Sequence, residues 1–114
     1  MRHLAKLLAE SDLPAVREAL AAIRGESRQE TARLHRAERW RDRLIAEGDG
    51  AVGRLTDAYP EVDRQRVREH LRGIKRERSR NAPPRQFRAL LRYLRALDGE
   101  AEQLETETAA EKRD

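Results

Sequence analysis

The spacing of apolar residues in the first half of the chain limits the fold more than any other feature of the sequence. From Val16 onward, positions 20, 23, 27, 30, 34, 37, 41 and 44 follow one another at intervals of three or four residues. That interval is the period of one helix face, so it predicts a single long helix over about residues 13–47, ended by Gly48. Ser27 and Glu30 interrupt the apolar face, which indicates that the helix serves two separate hydrophobic clusters.

Shorter helices are predicted on both sides of the long one. Residues 4–9 are typical of a short apolar helix, after which Ser11-Asp12 can cap the long helix and Pro14 fits its first turn. Farther along, Asp49 is predicted to cap a brief helix that ends before Pro60, because a proline disfavours helical backbone at the residue preceding it.

Two amphipathic helices are predicted in the second half. Asp63 is a good N-cap, and Val62 can pack on Val67 inside the helix, which runs to about Arg80. Pro83-Pro84 breaks this helix and opens the last one. The apolar face of the last helix consists of Phe87, Leu90, Leu91, Leu94, Leu97, Ala101 and Leu104.

The fold class is all-α, since β-branched residues are few and no alternating run of useful length occurs. At 114 residues the chain has room for one domain, or for two very small helical clusters that share an element. We expect the last helix to fray from Asp98 onward and the acidic residues 105–114 to be disordered.

Several classes of function are disfavoured by the composition. The sequence has no cysteine, and no apolar run approaches the roughly 20 residues of a transmembrane helix. The N-terminus lacks a signal-type apolar region, so a cytoplasmic protein without a membrane partner is expected. His3, His35 and His70 have no partner at metal-ligand spacing, and no nucleophile or phosphate-binding loop is evident. We therefore expect no enzymatic activity, metal or cofactor.

Positive charge is concentrated in one segment. Residues 64–95 contain 12 basic and two acidic residues, a net charge of +10. Residues 1–63 have a net charge of −1 and residues 96–114 a net charge of −5. Ordinary solvated helix faces mix the two signs, as the long helix does, so this block requires another explanation.

The basic residues of this block share helix faces. At about 100° per residue, the arginines of the last helix form a stripe opposite its apolar face, and those of the preceding helix cluster on one side. Like charges repel, so a phosphate backbone explains the block better than chance, with a plain solvated surface as the alternative. The candidate RNA-binding residues are Arg64, Arg68, Arg72, Lys75, Arg76, Arg78, Arg80, Arg85, Arg88, Arg92 and Arg95.

Motifs spread along the chain carry a family resemblance. They are the string from Leu34 to Ile45 followed by Gly48-Asp49, and the segments 12–20, 60–65, 81–84 and 93–97. In combination they resemble the DarP (YjgA) family of bacterial ribosome-associated proteins over nearly the whole chain except the acidic tail. The resemblance implies an assembly factor that binds rRNA of large-subunit precursors and promotes late maturation of the peptidyl-transferase region.

The same resemblance implies a fold and a set of contact residues. The fold is two three-helix bundles that share the long helix, with residues 1–30 as the remnant of the first bundle and residues 31–104 as the second. Family members have a longer N-terminal part, so the first bundle is expected to lack a helix. The family motifs have counterparts here at Arg41, Arg43, Arg64, Lys75, Arg76 and Arg95, which are carried over as RNA contacts.

Three alternatives remain open from the sequence. Without its missing helix, the first bundle is expected to expose its apolar face or to bury it in self-association; that face consists of Leu7, Leu8, Val16, Leu20 and Ile23. A rival function is a helical protein-interaction module that docks an acidic or apolar partner, and a duplex-DNA binder is a weaker third choice. Trp40 either packs in the core or stacks on a base.

Overall fold

The computed structural model describes the backbone of residues 13–113, and over this range it is a chain of four helices without a strand. They are α1 (Leu13–Glu47), α2 (Asp49–Ala58), α3 (Arg64–Ser79) and α4 (Arg85–Arg113). The all-α fold class is thereby confirmed. The short helix predicted at residues 4–9, its apolar side chains and the Ser11-Asp12 cap lie outside the described residues.

The helix boundaries follow local signals. Pro14 lies in the first turn of α1, and Gly48, with a φ of 65°, lies between α1 and α2 in the left-handed region that glycine adopts without steric cost. Asp63 caps α3 by accepting a hydrogen bond of 3.1 Å from the backbone N–H of Arg66, as predicted. The predicted cap at Asp49 is wrong: this residue is the first of α2, and Gly48 holds the N-cap position with no side-chain bond.

Residues 33–113 form one compact unit with a single hydrophobic core. Short α2 contributes the fully buried Val52 and Leu55, and Val67 of α3 and Leu90 of α4 are equally inaccessible. The α3 and α4 helices run antiparallel, since Asp63 at the start of α3 contacts Tyr93 while Glu77 near its end contacts Gln86. The packing of Trp40 against this core, edge-on to Tyr59, confirms the packing interpretation for that residue.

Residues 1–32 form the other unit, of which residues 13–32 are described. Its helical stretch exposes a row of large apolar side chains, with Leu13, Val16, Leu20 and Ile23 between 40% and 59% accessible. The expected exposure of this face is thus seen at the described positions. Burial of the face by self-association stays a prediction.

The C-terminal part of α4 differs from the expectation. The helix does not fray at Asp98, which is only 6% exposed, but continues to Arg113 through most of the segment expected to be disordered. The physical reason is that Asp98 and Glu102 form ion pairs with arginines of α1, which hold this stretch against the bundle. Beyond them the side chains at positions 103–108 are exposed.

Candidate nucleic-acid interface

All twelve basic residues between positions 64 and 95, here called the arginine block, are exposed. Arg68 alone among them forms an ion pair with a described side chain, a contact of 3.2 Å from its Nε to the carboxylate of Asp49. The block is therefore a solvent-facing cationic surface, as the helix periodicity predicts. Whether its members contact RNA stays a prediction.

One part of the block lines a groove of about 650 Å³, here called the α3 groove. Its cationic wall comes from α3, and its other wall is the C-terminal turn of α1 together with Gly48 and Asp49. Half-buried Ile45 and Leu71 add apolar surface between the walls. The basic residues of the groove are Arg68, Arg72, Lys75 and Arg78.

Phe87 of α4 holds two guanidinium groups beside this groove. The guanidinium carbon of Arg41, from α1, lies 4.4 Å from the centre of the Phe87 ring, and that of Arg78, from α3, lies 5.8 Å from it. Such cation–π contacts orient arginines without neutralising them. Arg41 also pairs with Asp42 at 3.0 Å, so it is the less available of the two for a ligand.

A second groove, of about 400 Å³, lies between α3 and α4 and has mixed charge. Arg66 and Arg92 line it together with Glu61 and Glu100. The Arg66 guanidinium lies 5.2 Å from the ring centre of Tyr93, whose hydroxyl accepts a 2.8 Å hydrogen bond from the Asp63 backbone N–H. This groove is less cationic than the α3 groove, because its carboxylates match its arginines in number.

The structure does not gather every candidate residue into one site. Arg92 lines the second groove, and the exposed Arg85, Arg88 and Arg95 line neither groove. The basic stripe of α4 is thus distinct from the cationic wall on α3. Arg43, carried over from the family motif, is exposed and lies 5.6 Å from the Trp40 ring centre.

A different set of arginines is neutralised inside the bundle. Arg36 donates to Asp98 at 2.8 Å and to Glu102 at 3.0 Å, and Arg33 pairs with Glu102. The Tyr59 hydroxyl donates a 2.6 Å hydrogen bond to Asp98. We call this set the α1–α4 network. The interpretation of Arg33 and Arg36 as part of an ordinary solvated face is therefore wrong.

The α1–α4 network shifts the pKa values of its members. Burial by itself would raise the pKa of Asp98, but the hydrogen bonds from Arg36 and Tyr59 outweigh burial and hold that pKa below its ordinary value. Burial, with the bond to Asp98, raises the pKa of Tyr59 to about 12. The carboxylate at position 98 is consequently ionised at neutral pH, and the phenol is neutral.

A polar chain of three side chains joins α3 to α4. His70 Nδ1 lies 2.8 Å from Gln86 Oε1, and the Gln86 backbone N–H donates to Glu77 at 2.7 Å. Gly73 makes room for it, since a Cβ there would come within 2.5 Å of the Gln86 side chain. The remaining polar atoms of His70 and Glu77, Nε2 and Oε2, are buried without a hydrogen-bond partner among the described residues.

These contacts escaped prediction for a common reason. The partners of the α1–α4 network are 39 to 69 residues apart, so no local pattern links them. Arg66 was left out of the candidate set, although its place in the basic block could have included it. The positions of Phe87 under two arginines, and of the α1 terminus opposite α3, follow from helix packing that the sequence does not display.

The fold and this surface define an all-helical protein with a concentrated exposed cationic region. Within residues 13–113 no helix is long and apolar enough to cross a membrane, and no cluster of His, Asp or Glu could hold a metal ion. A family model described as dual-action ribosomal maturation protein DarP matches residues 1–95. The chain belongs to the DarP family, as its motifs predicted.

Curated relatives that bear the same description are similar over most of the chain. The protein of Xanthomonas axonopodis pv. citri is 48% identical over 91 residues, which is 80% of this chain and 47% of the relative. That of Xanthomonas oryzae pv. oryzae is 46% identical over 103 residues, 88% of this chain and 53% of the relative. That of Stenotrophomonas maltophilia is 47% identical over 88 residues, 77% and 45%. The chain spans about half the length of these relatives.

Proposed function

We propose that this protein is a ribosome assembly factor that binds rRNA of large-subunit precursors and promotes late maturation of the peptidyl-transferase region. Its relatives are named ribosomal maturation proteins, which supports a role on the ribosome. The arginine block supports an RNA contact. The protein acts by binding, without covalent chemistry.

The observation that carries this proposal is the exposure of the whole arginine block with a single internal ion pair among the described side chains. Free cations on a folded surface repel one another, and they release counterions when they meet phosphates. The guanidinium group suits this task because its planar fork binds phosphate oxygens in pairs and stacks on unpaired bases.

Sucrose-gradient co-sedimentation with large-subunit precursors tests the proposal. The native chain is expected to travel with the precursors, and the variant with Arg88→Glu, Arg92→Glu and Arg95→Glu is expected to remain at the top of the gradient. A matched control changes Arg17, Arg24 and Arg28 to Glu, which alters net charge equally at exposed positions outside the block. Co-sedimentation of the block variant to the same extent as the control would contradict the proposal.

A further inference from the structure

We propose that the α3 groove holds an unpaired RNA strand, with its phosphates on the α3 wall and its ribose hydroxyl groups and base N–H groups toward the end of α1. This rests on the proposed function and deepens it, since it assigns a strand type and a register to one part of the arginine block. The argument begins from the two walls of the groove.

The α3 wall offers a line of cations. Arg68, Arg72 and Lys75 follow one another by four and three residues, so they share a helix face and rise by about 6 Å and 4.5 Å along the axis. Arg78 extends the line by another turn, with its guanidinium group against the Phe87 ring. A line of exposed cations with such intervals fits consecutive phosphates of one extended strand.

The opposite wall offers acceptors. The Gly48 backbone N–H bonds to the Leu44 carbonyl, but among the described residues no backbone N–H outside α1 reaches the carbonyl oxygens of Ile45, Ala46 or Glu47. Helix C-termini leave such carbonyls for outside donors, and α1 has no basic residue in its last turn to cover them. A ribose 2′-hydroxyl or a base N–H is a donor of the required kind, whereas a phosphate is not.

The size of the groove favours a single strand. About 650 Å³ is within the range of roughly 300–1,000 Å³ that small-molecule sites enclose. A nucleotide can enter such a space and lay its base on the apolar surface of Ile45 and Leu71, while a duplex can touch only the rim. The two walls thus separate the polar groups of one nucleotide chain by their charge.

Asp49 occupies part of the space that a phosphate would take. Its carboxylate is 82% exposed and lies 3.2 Å from Arg68 Nε, the sole carboxylate contact of the cationic wall among the described side chains. An exposed ion pair of this kind contributes little to stability and is easily exchanged. Incoming phosphate must displace Asp49 from Arg68, so this residue weakens binding.

The first test compares oligouridine with oligodeoxyuridine, which differ only in the 2′-hydroxyl of each sugar. Native chain is expected to bind oligouridine several-fold more tightly. Arg72→Gln with Lys75→Gln is expected to weaken oligouridine binding about tenfold or more and to reduce the salt slope by about 2, one for each lost phosphate contact. Arg17→Gln with Arg24→Gln is the matched control, with affinity expected to be unchanged.

The α4 stripe decides whether the groove is the site. Arg88→Gln with Arg95→Gln removes the same charge from positions outside the groove, and its loss of oligouridine affinity is expected to be clearly smaller. Equal losses for the two pairs would overturn the groove while leaving the proposed function intact. Equal binding of the two oligonucleotides would also overturn the proposal, as would tighter binding of polyglutamate than of oligouridine. Co-sedimentation with precursors reports on the proposed function separately.

Asp49→Asn provides the opposite sign. This variant is expected to bind oligouridine about threefold more tightly, because Arg68 is released and one negative charge leaves the groove. Asp57→Asn, an exposed position of α2 that does not line the groove, is expected to leave affinity unchanged. Unchanged or weaker binding by Asp49→Asn would overturn the register proposed here.

Discussion

Arginines of two regions in this molecule contrast in what surrounds them. In the α1–α4 network, Arg36 meets the buried carboxylate of Asp98, and Arg33 meets Glu102. In the arginine block, twelve exposed cations share one ion pair among the described side chains. The residue type is the same, but one set is satisfied by the fold and the other is available to a ligand.

The difference teaches that arginine content alone does not locate a binding surface. The α1–α4 network uses its charges to hold α4 on α1, and removal of one partner leaves the other poorly solvated. The arginine block contributes no such link, so its removal should cost the fold little and the function much. The predictions below test the two halves of that statement.

The largest effect on stability is expected from Asp98→Ala. The substitution removes the acceptor of Arg36 and of the Tyr59 hydroxyl in a site that is 6% exposed. Loss of charge-assisted hydrogen bonds at such a site costs about 2 to 3 kcal/mol of unfolding free energy, measurable by urea denaturation. Glu100→Ala, exposed on the same helix, is the control and should change stability by less than about 0.5 kcal/mol. Similar values for both variants would contradict the role given to the network.

Acid should weaken the same network. Because the pKa of Asp98 in the folded chain lies below its unfolded value of about 3.9, its contribution is present above that value and is lost as the pH falls toward the folded pKa. Urea denaturation at a series of pH values is expected to show a smaller acid-dependent loss in Asp98→Asn than in the native chain. Identical pH dependence in the two would show that Asp98 contributes nothing through its charge.

Partial neutralisation of the arginine block should barely affect the fold. Arg72→Gln with Arg76→Gln retains helix propensity and reduces repulsion, so unfolding free energy is expected to rise by a few tenths of a kcal/mol at low salt. The gain should disappear near 1 M salt, where the Debye length is about 3 Å. A loss of more than about 1 kcal/mol would mean that these side chains hold the fold, against the contrast drawn above.

The smallest effect is spectroscopic. The Tyr59 phenol is expected to ionise at about pH 12 in the folded chain, because burial and the bond to Asp98 disfavour its anion. Subtraction of the phenolate absorbance titration of Tyr59→Phe from that of the native chain isolates this group. A midpoint near 10, the value of a free tyrosine, would indicate that the hydroxyl is not held in the network.

Much of the fold could be predicted because its signals are local. The interval of three and four residues gave the extent of α1, and Asp63 and the proline pair marked the limits of α3 and α4. The cap of α2 was mistaken because both Gly48 and Asp49 are suitable residues, and a positive φ selects between them only in the folded backbone.

The candidate site was predicted in composition but not in arrangement. Helix periodicity placed the arginines on exposed faces, yet it could not show that the α3 cations line a groove and those of the α4 stripe do not. That distinction depends on where the end of α1 packs, which is set by contacts distant in sequence. The order seen beyond Asp98 escaped prediction for the same reason, since Arg33 and Arg36 lie more than 60 residues away.

The most direct test of the central claim is the salt dependence of binding between the native chain and rRNA of large-subunit precursors. If about six cations of the arginine block contact phosphates, log affinity should fall against log salt with a slope near −4 to −5. Neutralisation of the block by glutamine should flatten that line, while the Arg17→Gln and Arg24→Gln control should reproduce it. A slope near zero, or one unaltered by the loss of the block, would contradict the claim that its exposed cations bind RNA.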